Sequence, residues 1–294
     1  MKRNRILILA LCAALLCTGL ACAQTFTDMC GREITLDAPV ERIVALTAAD
    51  CEILCALGAG DRLVGRGQYC DYPESVLDVP SVQSGYETNL EQIIALRPDA
   101  VLMGTMDQPV EQQQALEASG IHVIVSNAQD IAGVYEAIEM TGKVVGRETE
   151  AQTLIESMQS GFDALRERTL KSEMSVYFEV SPLEWGLWTA GANTFMDEIA
   201  QMIGLNNAFA DVNGWGEISE EQVLQRNPDV IVTITMVDDD GGAGSVSEIK
   251  ARAGWQDVNA VKNNRVFCID SNEISRPGPR LVSAAEKLCD LVMD

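Results

Sequence analysis

The sequence ETEAQTLIESMQSGFDALRERTL, residues 148–170, predicts one long helix with a single apolar face. Its apolar residues recur at helical spacing at Leu154, Ile155, Met158, Phe162 and Leu165. A second helical pattern precedes it from Ile131 and ends near Gly146. Because strand and helix patterns alternate on both sides of this region, we interpret the long helix as a rigid connector between two lobes.

Short apolar runs alternate with longer helical patterns in both halves of the chain. Predicted strands lie at Arg42–Leu46, Arg62–Gly65, Ala100–Gly104, His122–Ser126, Ser175–Val180, Val230–Thr235 and Arg265–Ile269. Segments between them, such as Ala49–Leu57 and Val110–Ser119, have helical periodicity. This alternation predicts α/β architecture with central, mostly parallel sheets.

The first 23 residues have the pattern of a secretory signal. Lys2, Arg3 and Arg5 precede the apolar run Ile6–Leu16, and small residues at 21–23 offer a cleavage site before Gln24. The run is shorter than the ~20 residues that span a bilayer. We therefore predict a signal peptide at 1–23, an N-terminal lobe at 24–146, a connecting helix at 147–171 and a C-terminal lobe at 172–294. Lipidation of Cys22 is the alternative to plain cleavage, and either places the mature chain outside the cytoplasm.

The chain is strongly acidic, with 21 Lys+Arg, 44 Asp+Glu and a net charge of −23. Such a surface repels phosphates, so nucleic acid is not an expected partner.

Six cysteines follow the leader, at positions 30, 51, 55, 70, 268 and 289. An even number outside the cytoplasm predicts disulfides, most simply paired within the first four and within the last two. Their spacings lack the C-x2-C pairs typical of zinc sites.

A short internal repeat indicates that the two lobes have a similar build. EQIIALRPDAV at 91–101 matches EQVLQRNPDVI at 221–231, and each follows a helix N-cap residue, Asn89 or Ser219. The repeat places Glu91 and Glu221 in the first turn of equivalent helices. These carboxylates either complement the helix dipole, which spacing alone favours, or form an exposed pair that binds arginines of a two-fold symmetric partner.

Aromatic residues cluster in predicted loops after strands. They are Tyr69, Tyr72, Tyr86, Trp185, Trp188 and Trp215. Ligand sites of α/β proteins lie at that edge of the sheet, and an aromatic-lined cleft suits a large flat or apolar ligand. The alternative is that these residues belong to the core.

Several residues bear on catalysis and charge. Arg276 lies in the stiff segment RPGPR at 276–280 and could meet an anionic ligand, whereas Arg280 could pair on the surface. His122 is the only histidine, which disfavours a site for a bare transition-metal ion. No G-x-S-x-G or His–Glu zinc motif occurs, and GAGDRLVG at 58–65 precedes a predicted strand instead of opening a helix. We therefore predict no enzyme and no metal or cofactor site.

The order of motifs along the mature chain resembles iron-siderophore and cobalamin binding proteins of ABC importers, of the class with a helical backbone. The resemblance lies in TD at 27–28, GREI at 31–34, RIVAL at 42–46, CEILCALG at 51–58, NLE at 89–91, SEE at 219–221, WQDVNAVKNNRV at 255–266 and GPR at 278–280. It implies two Rossmann-like lobes joined by one long α-helix, with the ligand held between them.

The resemblance also implies roles for single residues. Glu91 and Glu221 fall where the family presents docking glutamates to the permease, which reverses the preference drawn from spacing. Tyr69, Tyr86 and Trp215 match or adjoin pocket positions, and Trp185 and Trp188 lie in the loop opposite. Arg276 lies where siderophore binders hold ligand anions, and we include Thr47 among the predicted ligand-binding residues.

The candidate ligands are ranked by where this sequence differs from the family pattern. Gly85, with Tyr86 beside it, replaces the first-lobe tryptophan of the cobalamin binder, and Ile203 replaces the cysteine that pairs with its last helix. Haem binders of this group use a tyrosine ligand near Tyr86, but the spacing from Tyr86 to the following helix, which contains Glu91, differs from theirs. We rank a ferric chelate first, a corrinoid second and haem third, bound by a monomer that delivers it to the permease. An exported sensor domain or α/β enzyme is the alternative class, because fold alone does not fix function.

Overall fold

The computed structural model describes residues 23–85, 87–105, 109–168, 173–234 and 241–293. Residues 1–22, which hold most of the predicted signal peptide and Cys22, lie outside these ranges, as does Tyr86. Over these ranges the fold is α/β, as the sequence predicted, with one main sheet in each lobe and a separate two-stranded hairpin.

The N-terminal lobe is built on a parallel sheet. Its elements are β1 (Gln24–Thr27), β2 (Glu33–Leu36), β3 (Ile43–Ala45), α1 (Ala48–Ala56), β4 (Leu63–Gly67), β5 (Ser81–Val82), α2 (Leu90–Ala95), β6 (Ala100–Gly104), α3 (Val110–Ala118) and β7 (His122–Ser126). Strands β1 and β2 form an antiparallel hairpin. The other five are ordered β5-β4-β3-β6-β7, and every neighbouring pair is parallel.

The C-terminal lobe has a mixed sheet. Its elements are β8 (Ser175–Glu179), β9 (Trp188–Ala190), α6 (Phe195–Met202), β10 (Asn206–Asn207), β11 (Trp215–Glu217), α7 (Glu220–Arg226), β12 (Val230–Thr233), α8 (Ala243–Ala251), α9 (Asn259–Lys262), β13 (Val266–Cys268), α10 (Ser271–Ile274) and α11 (Leu281–Met293). The sheet order is β11-β9-β8-β12-β13, and β10 pairs with β8. Strands β8, β12 and β13 are parallel to one another, whereas β9 runs antiparallel to both of its neighbours, β8 and β11.

Two consecutive helices connect the lobes, α4 (Ile131–Val145) and α5 (Glu148–Glu167). Gly146 separates them in a left-handed conformation, with φ 62°, which glycine adopts without steric cost. Helix α5 has 20 residues and is therefore about 30 Å long. It packs against α4 and α11, and a Cβ at Gly161 would lie 2.5 Å from Val282 Cγ1, so glycine permits the close approach to α11.

The cores explain why the two lobes hold together. One cluster of buried residues extends from Phe26 through the apolar faces of α4 and α5 to Val292, so it includes both lobes. Separate clusters cover the opposite face of each sheet. One surrounds Val101 in the N-terminal lobe, and the other surrounds Trp255 in the C-terminal lobe.

The seven predicted strands all coincide with observed strands, with ends that agree within two residues over the described part of the chain. The short strands β1, β2, β5, β9, β10 and β11 were not predicted, because two to four residues carry too little periodicity. Trp215 therefore begins a strand paired with β9 instead of lying in a loop.

The disulfide prediction is not matched in the structure. No disulfide joins any of the six cysteines from Cys30 to Cys289. Cys51, Cys70 and Cys289 are instead buried as members of the apolar core that both lobes share.

Candidate functional site

The predicted ligand residue Thr47 lies at the carboxyl edge of the N-terminal sheet, directly after β3. It is the N-cap of α1 and accepts a hydrogen bond from Asp50 N at 3.1 Å. Its hydroxyl donates to Asp50 Oδ2 at 2.6 Å, and Ser126, at the end of β7, donates to the same oxygen at 3.0 Å. The two hydroxyls hold Asp50 at the edge where α/β proteins bind ligands.

Asp50 is a buried acid, 1% exposed. Burial raises the pKa of its carboxyl to about 6, against the opposing hydrogen bonds from Thr47 and Ser126. The group therefore titrates near neutral pH.

Four charged side chains join the lobes, and we name Glu52, Asp71, Arg276 and Arg280 the inter-lobe ion cluster. Glu52, on α1, has a side chain 3% exposed. Its Oε2 accepts from Arg280 Nε at 2.8 Å, and its Oε1 accepts from Arg280 Nη2 at 2.6 Å and from Arg276 Nη1 at 3.1 Å. The contact to Arg280 is a two-point fork, the geometry that gives arginine–carboxylate pairs both strength and orientation.

Asp71 completes the cluster from the loop after β4. Its oxygens accept from Arg276 Nη1 at 2.6 Å and from Arg276 Nη2 at 3.3 Å. Burial acts to raise the pKa of Asp71, but the hydrogen bonds and positive charge of Arg276 hold this pKa below its usual value. The cluster is electrically balanced, with two carboxylates and two guanidinium groups.

The same loop presents aromatic rings next to the cluster. Tyr69 is 62% exposed, and its backbone oxygen accepts from Arg276 Nη2 at 3.1 Å. The Arg280 guanidinium carbon lies 4.2 Å from the ring centroid of Tyr72, a cation–π arrangement. Arg66 anchors the loop by donating to the backbone oxygen of Cys70 at 3.0 Å.

These contacts revise the sequence interpretation of both arginines. Arg280 is not a surface pair, because it bonds a buried carboxylate of the opposite lobe. Arg276, predicted to meet a ligand anion, bonds Glu52 and Asp71 in this conformation. Its role toward a ligand stays a prediction.

Trp215 lies where the lobes meet. Its ring packs against Phe195 with centroids 5.4 Å apart, and its Nε1 donates to Gln129 Oε1 in the N-terminal lobe at 3.3 Å. Trp185, on the segment between β8 and β9, and Trp188, the first residue of β9, are 75% and 40% exposed and so are not core residues. Trp188 therefore lies in a strand and not in the predicted loop, because it pairs with Glu217 of β11. The structure thus places Trp215 at the lobe interface and leaves the other two indoles accessible.

The glutamates of the internal repeat occupy equivalent places in the two lobes. Glu91 is in the first turn of α2 and Glu221 is in the first turn of α7, and both are exposed. In each lobe, this helix leads into a strand that lies directly beside the first parallel strand of the main sheet. The pairs are β6 beside β3 in the N-terminal lobe and β12 beside β8 in the C-terminal lobe. A backbone hydrogen bond and the Ser219 side chain lower the pKa of Glu221. Both residues are accessible on the surface, and their role in docking stays a prediction.

Three further observations on the described residues concern metal binding, membrane spans and surface depressions. No cluster of three or more His, Cys, Asp or Glu side chains in these ranges is arranged to hold a metal ion. None of the described helices is long and apolar enough to cross a bilayer. One surface depression lies beside His122, and another lies beside Lys287 at the carboxyl end of β13.

Sequence reasoning missed Asp50, Glu52 and Asp71 as site residues. One signal was present for Glu52: it is an acid within the apolar helical segment CEILCAL at 51–57, so its side chain had to be buried or paired. Nothing local identified its partners, since Arg276 and Arg280 lie 224 and 228 positions away.

Comparison with known proteins agrees with this architecture. Residues 43–273 match the periplasmic binding protein family. The chain is 34% identical over 275 residues to YvrC of Bacillus subtilis, described as an uncharacterized ABC transporter substrate-binding lipoprotein, covering 91% of this chain and 85% of YvrC. It is 29% identical over 254 residues to the vitamin B12-binding protein of Yersinia pestis, covering 85% of each.

Solved structures show the same fold. An ABC-type Fe3+-hydroxamate transport system protein of Saccharomonospora viridis superposes with a TM-score of 0.77 at 27% identity, covering 92% of this chain and 99% of that one. A possible iron-binding, periplasmic solute-binding protein of Staphylococcus epidermidis superposes with a TM-score of 0.76 at 29% identity, covering 87% of this chain and 99% of that one. With the family match extending over most of both lobes, the chain belongs to the periplasmic binding proteins that serve ABC importers.

Proposed function

We propose that this protein captures a bulky metal chelate between its lobes and delivers it to an ABC permease, and that a ferric siderophore of the hydroxamate type is the first candidate ligand. The observation that carries the proposal is the inter-lobe ion cluster beside exposed aromatic side chains. Its two arginines are already neutralised by Glu52 and Asp71. A site of this kind favours a ligand with a large apolar surface and little negative charge.

The aromatic residues supply that surface. Tyr69 and Tyr72 lie on the N-terminal side, Trp215 lies at the lobe interface, and Trp185 and Trp188 are exposed on the C-terminal lobe. A ferric hydroxamate chelate carries little net charge because the hydroxamates neutralise the ferric ion. The likeness to the Saccharomonospora viridis Fe3+-hydroxamate protein supports this ligand class.

A corrinoid is the second candidate, because it too is bulky and nearly neutral. Similarity to the vitamin B12-binding protein over 254 residues supports it. Haem ranks third, since its propionates would meet a site whose arginines are occupied and which carries the buried acid Asp50.

For delivery, we propose that Glu91 and Glu221 bind arginines on the two permease subunits. Their equivalent places in the repeated lobes give two similar carboxylate sites, which suit a partner with two-fold symmetry. Exposed carboxylates that pair with arginine give register to such a complex more than affinity.

We further propose that the chain acts outside the cytoplasm after removal of residues 1–23. YvrC is named a lipoprotein, which supports the alternative that Cys22 carries a lipid anchor. Intact-mass measurement of the exported protein distinguishes a chain beginning at Gln24 from one beginning at acylated Cys22.

The deciding experiment is a tryptophan-fluorescence titration of the purified protein. The ligands are a ferric trihydroxamate, ferric citrate, cyanocobalamin and haem. We expect saturable quenching by the trihydroxamate at low micromolar concentration or below, with weaker binding of ferric citrate and haem. Saturation by cyanocobalamin alone establishes the second candidate, and no saturation by any of the four contradicts the proposal.

A further inference from the structure

The charge balance of the inter-lobe ion cluster depends most on one residue, Glu52. It is the one member of the inter-lobe ion cluster whose carboxylate contacts both arginines. It forms the two-point fork with Arg280, while Asp71 contacts Arg276 alone among the contacts of the cluster. The local charge balance therefore fails if Glu52 loses its charge.

The surroundings of Glu52 make its carboxylate a fixed part of the fold. Its side chain is 3% exposed, whereas that of Asp71 is 47% exposed. It projects from α1, whose N-terminus is fixed by the Thr47 cap. A carboxylate held on a packed helix does not move aside at low cost, so an incoming anion cannot easily replace it.

We propose that Glu52 is a specificity-determining residue that selects against chelates with free carboxylate or phosphate groups, an inference that rests on the proposed function. With Glu52 charged, Arg276 and Arg280 are neutralised and held within the lobe interface. An anionic ligand meets no unpaired guanidinium, and it is repelled by a carboxylate it cannot displace.

The chemistry follows from arginine geometry. Arg280 presents Nε and Nη2 to Glu52 as a fork, and this edge matches a ligand carboxylate equally well. Replacing Glu52 by glutamine keeps the size and one acceptor but removes the negative charge. The variant then contains two guanidinium groups facing one carboxylate, Asp71, and the surplus positive charge forms an anion site.

The test measures anion binding directly and does not depend on the transported ligand. Isothermal titration calorimetry with iron-free citrate, at ~0.15 M salt to screen the overall negative charge, compares the wild-type protein with Glu52→Gln. We expect no saturable binding to the wild type and a gain of at least about tenfold in affinity for the variant, the size of one charge-assisted contact. Adding Arg280→Gln to the variant should abolish the gain.

Two further variants keep the test decisive. Glu52→Met removes the same charge with an apolar side chain of similar length and should give a similar gain; it decides the matter if Glu52→Gln does not fold, as judged by circular dichroism and thermal melting. Glu248→Gln is the matched control, because Glu248 is a half-exposed partner of the buried Arg252 outside the cluster. We expect no citrate binding from it.

Each outcome has a defined meaning. Equal citrate affinity in the wild type and a folded Glu52→Gln overturns the inference, as does a gain that survives Arg280→Gln. If Glu52→Gln is unfolded and a folded Glu52→Met gains nothing, the inference is also overturned. Failure of the wild type to bind any metal chelate contradicts the proposed function instead, and the citrate result distinguishes the two failures.

Discussion

Asp50 offers a quantitative test of how the carboxyl edge of the N-terminal sheet is built. Its pKa is raised to about 6 by burial, from an ordinary value near 3.8. The difference of about two pH units corresponds to roughly 3 kcal/mol of destabilisation when the carboxyl is ionised in the fold. We therefore expect Asp50→Asn to raise the free energy of unfolding at pH 7.5 by up to about 3 kcal/mol.

The effect of Asp50 on the free energy of unfolding depends on pH. Below the unfolded pKa of about 4, Asp50 is protonated in both states and contributes no penalty. As pH rises from about 4 to 6, the unfolded state ionises before the folded state, so folding stability is lost, and the full penalty holds above about 6. The gain from Asp50→Asn should therefore be large at pH 7.5 and nearly absent at pH 4.

Asparagine fits the site because Thr47 and Ser126 both donate to a single oxygen, Oδ2, which an amide oxygen can replace. Urea unfolding at the two pH values measures the effect. The matched control is Asp197→Asn, since Asp197 also lies three residues after a threonine N-cap, Thr194. Its carboxylate accepts from Gln201 Nε2 at 2.7 Å and from Asn207 Nδ2 at 3.0 Å, so its replacement should destabilise the fold. A stability gain for Asp50→Asn that is equal at both pH values, or a loss at pH 7.5, would refute the reasoning.

Three other predictions concern docking, ligand contact and the C-terminal core. The double variant Glu91→Ala/Glu221→Ala should reduce uptake of the ligand into cells at least about tenfold. The affinity of the variant for the ligand, measured by fluorescence titration, should stay unchanged, because the proposed contact of these carboxylates is with the permease. Trp215→Ala should weaken ligand binding about tenfold by removing an aromatic face, while the melting temperature, measured by circular dichroism, falls by only a few degrees. Glu179→Ala should lower the free energy of unfolding in urea by about 3 kcal/mol, because it leaves the Arg252 guanidinium, 2% exposed, without its buried partner.

The docking and ion-pair predictions each have a matched control. Glu111 and Glu148 are also exposed first-turn glutamates, on α3 and α5, and their double alanine variant should transport normally. Asp163 pairs with Arg166 on the exposed face of α5, and Asp163→Ala should cost no more than about 0.5 kcal/mol. Normal uptake by the docking variant, unchanged ligand affinity in Trp215→Ala, or equal losses in Glu179→Ala and Asp163→Ala would each contradict the corresponding prediction.

The sequence by itself determined the division into two α/β halves and the helix between them. These features depend on local periodicity: the apolar face of 148–170 and the alternation of apolar runs require only neighbouring residues. The repeated segments at 91–101 and 221–231 likewise place Glu91 and Glu221 on equivalent helices, because a capped helix that ends before Pro-Asp and leads into a strand is a local unit.

Only the tertiary structure decided which charges meet between the lobes. Glu52 and its arginine partners are more than 200 positions apart, and the sequence around Glu52 indicates that its side chain is buried or paired without indicating the partner. Their pairing exists because α5 and the shared core hold the carboxyl edges of two sheets against each other. Local spacing carries no information on such a contact, since the angle between the lobes is set by packing over the whole chain.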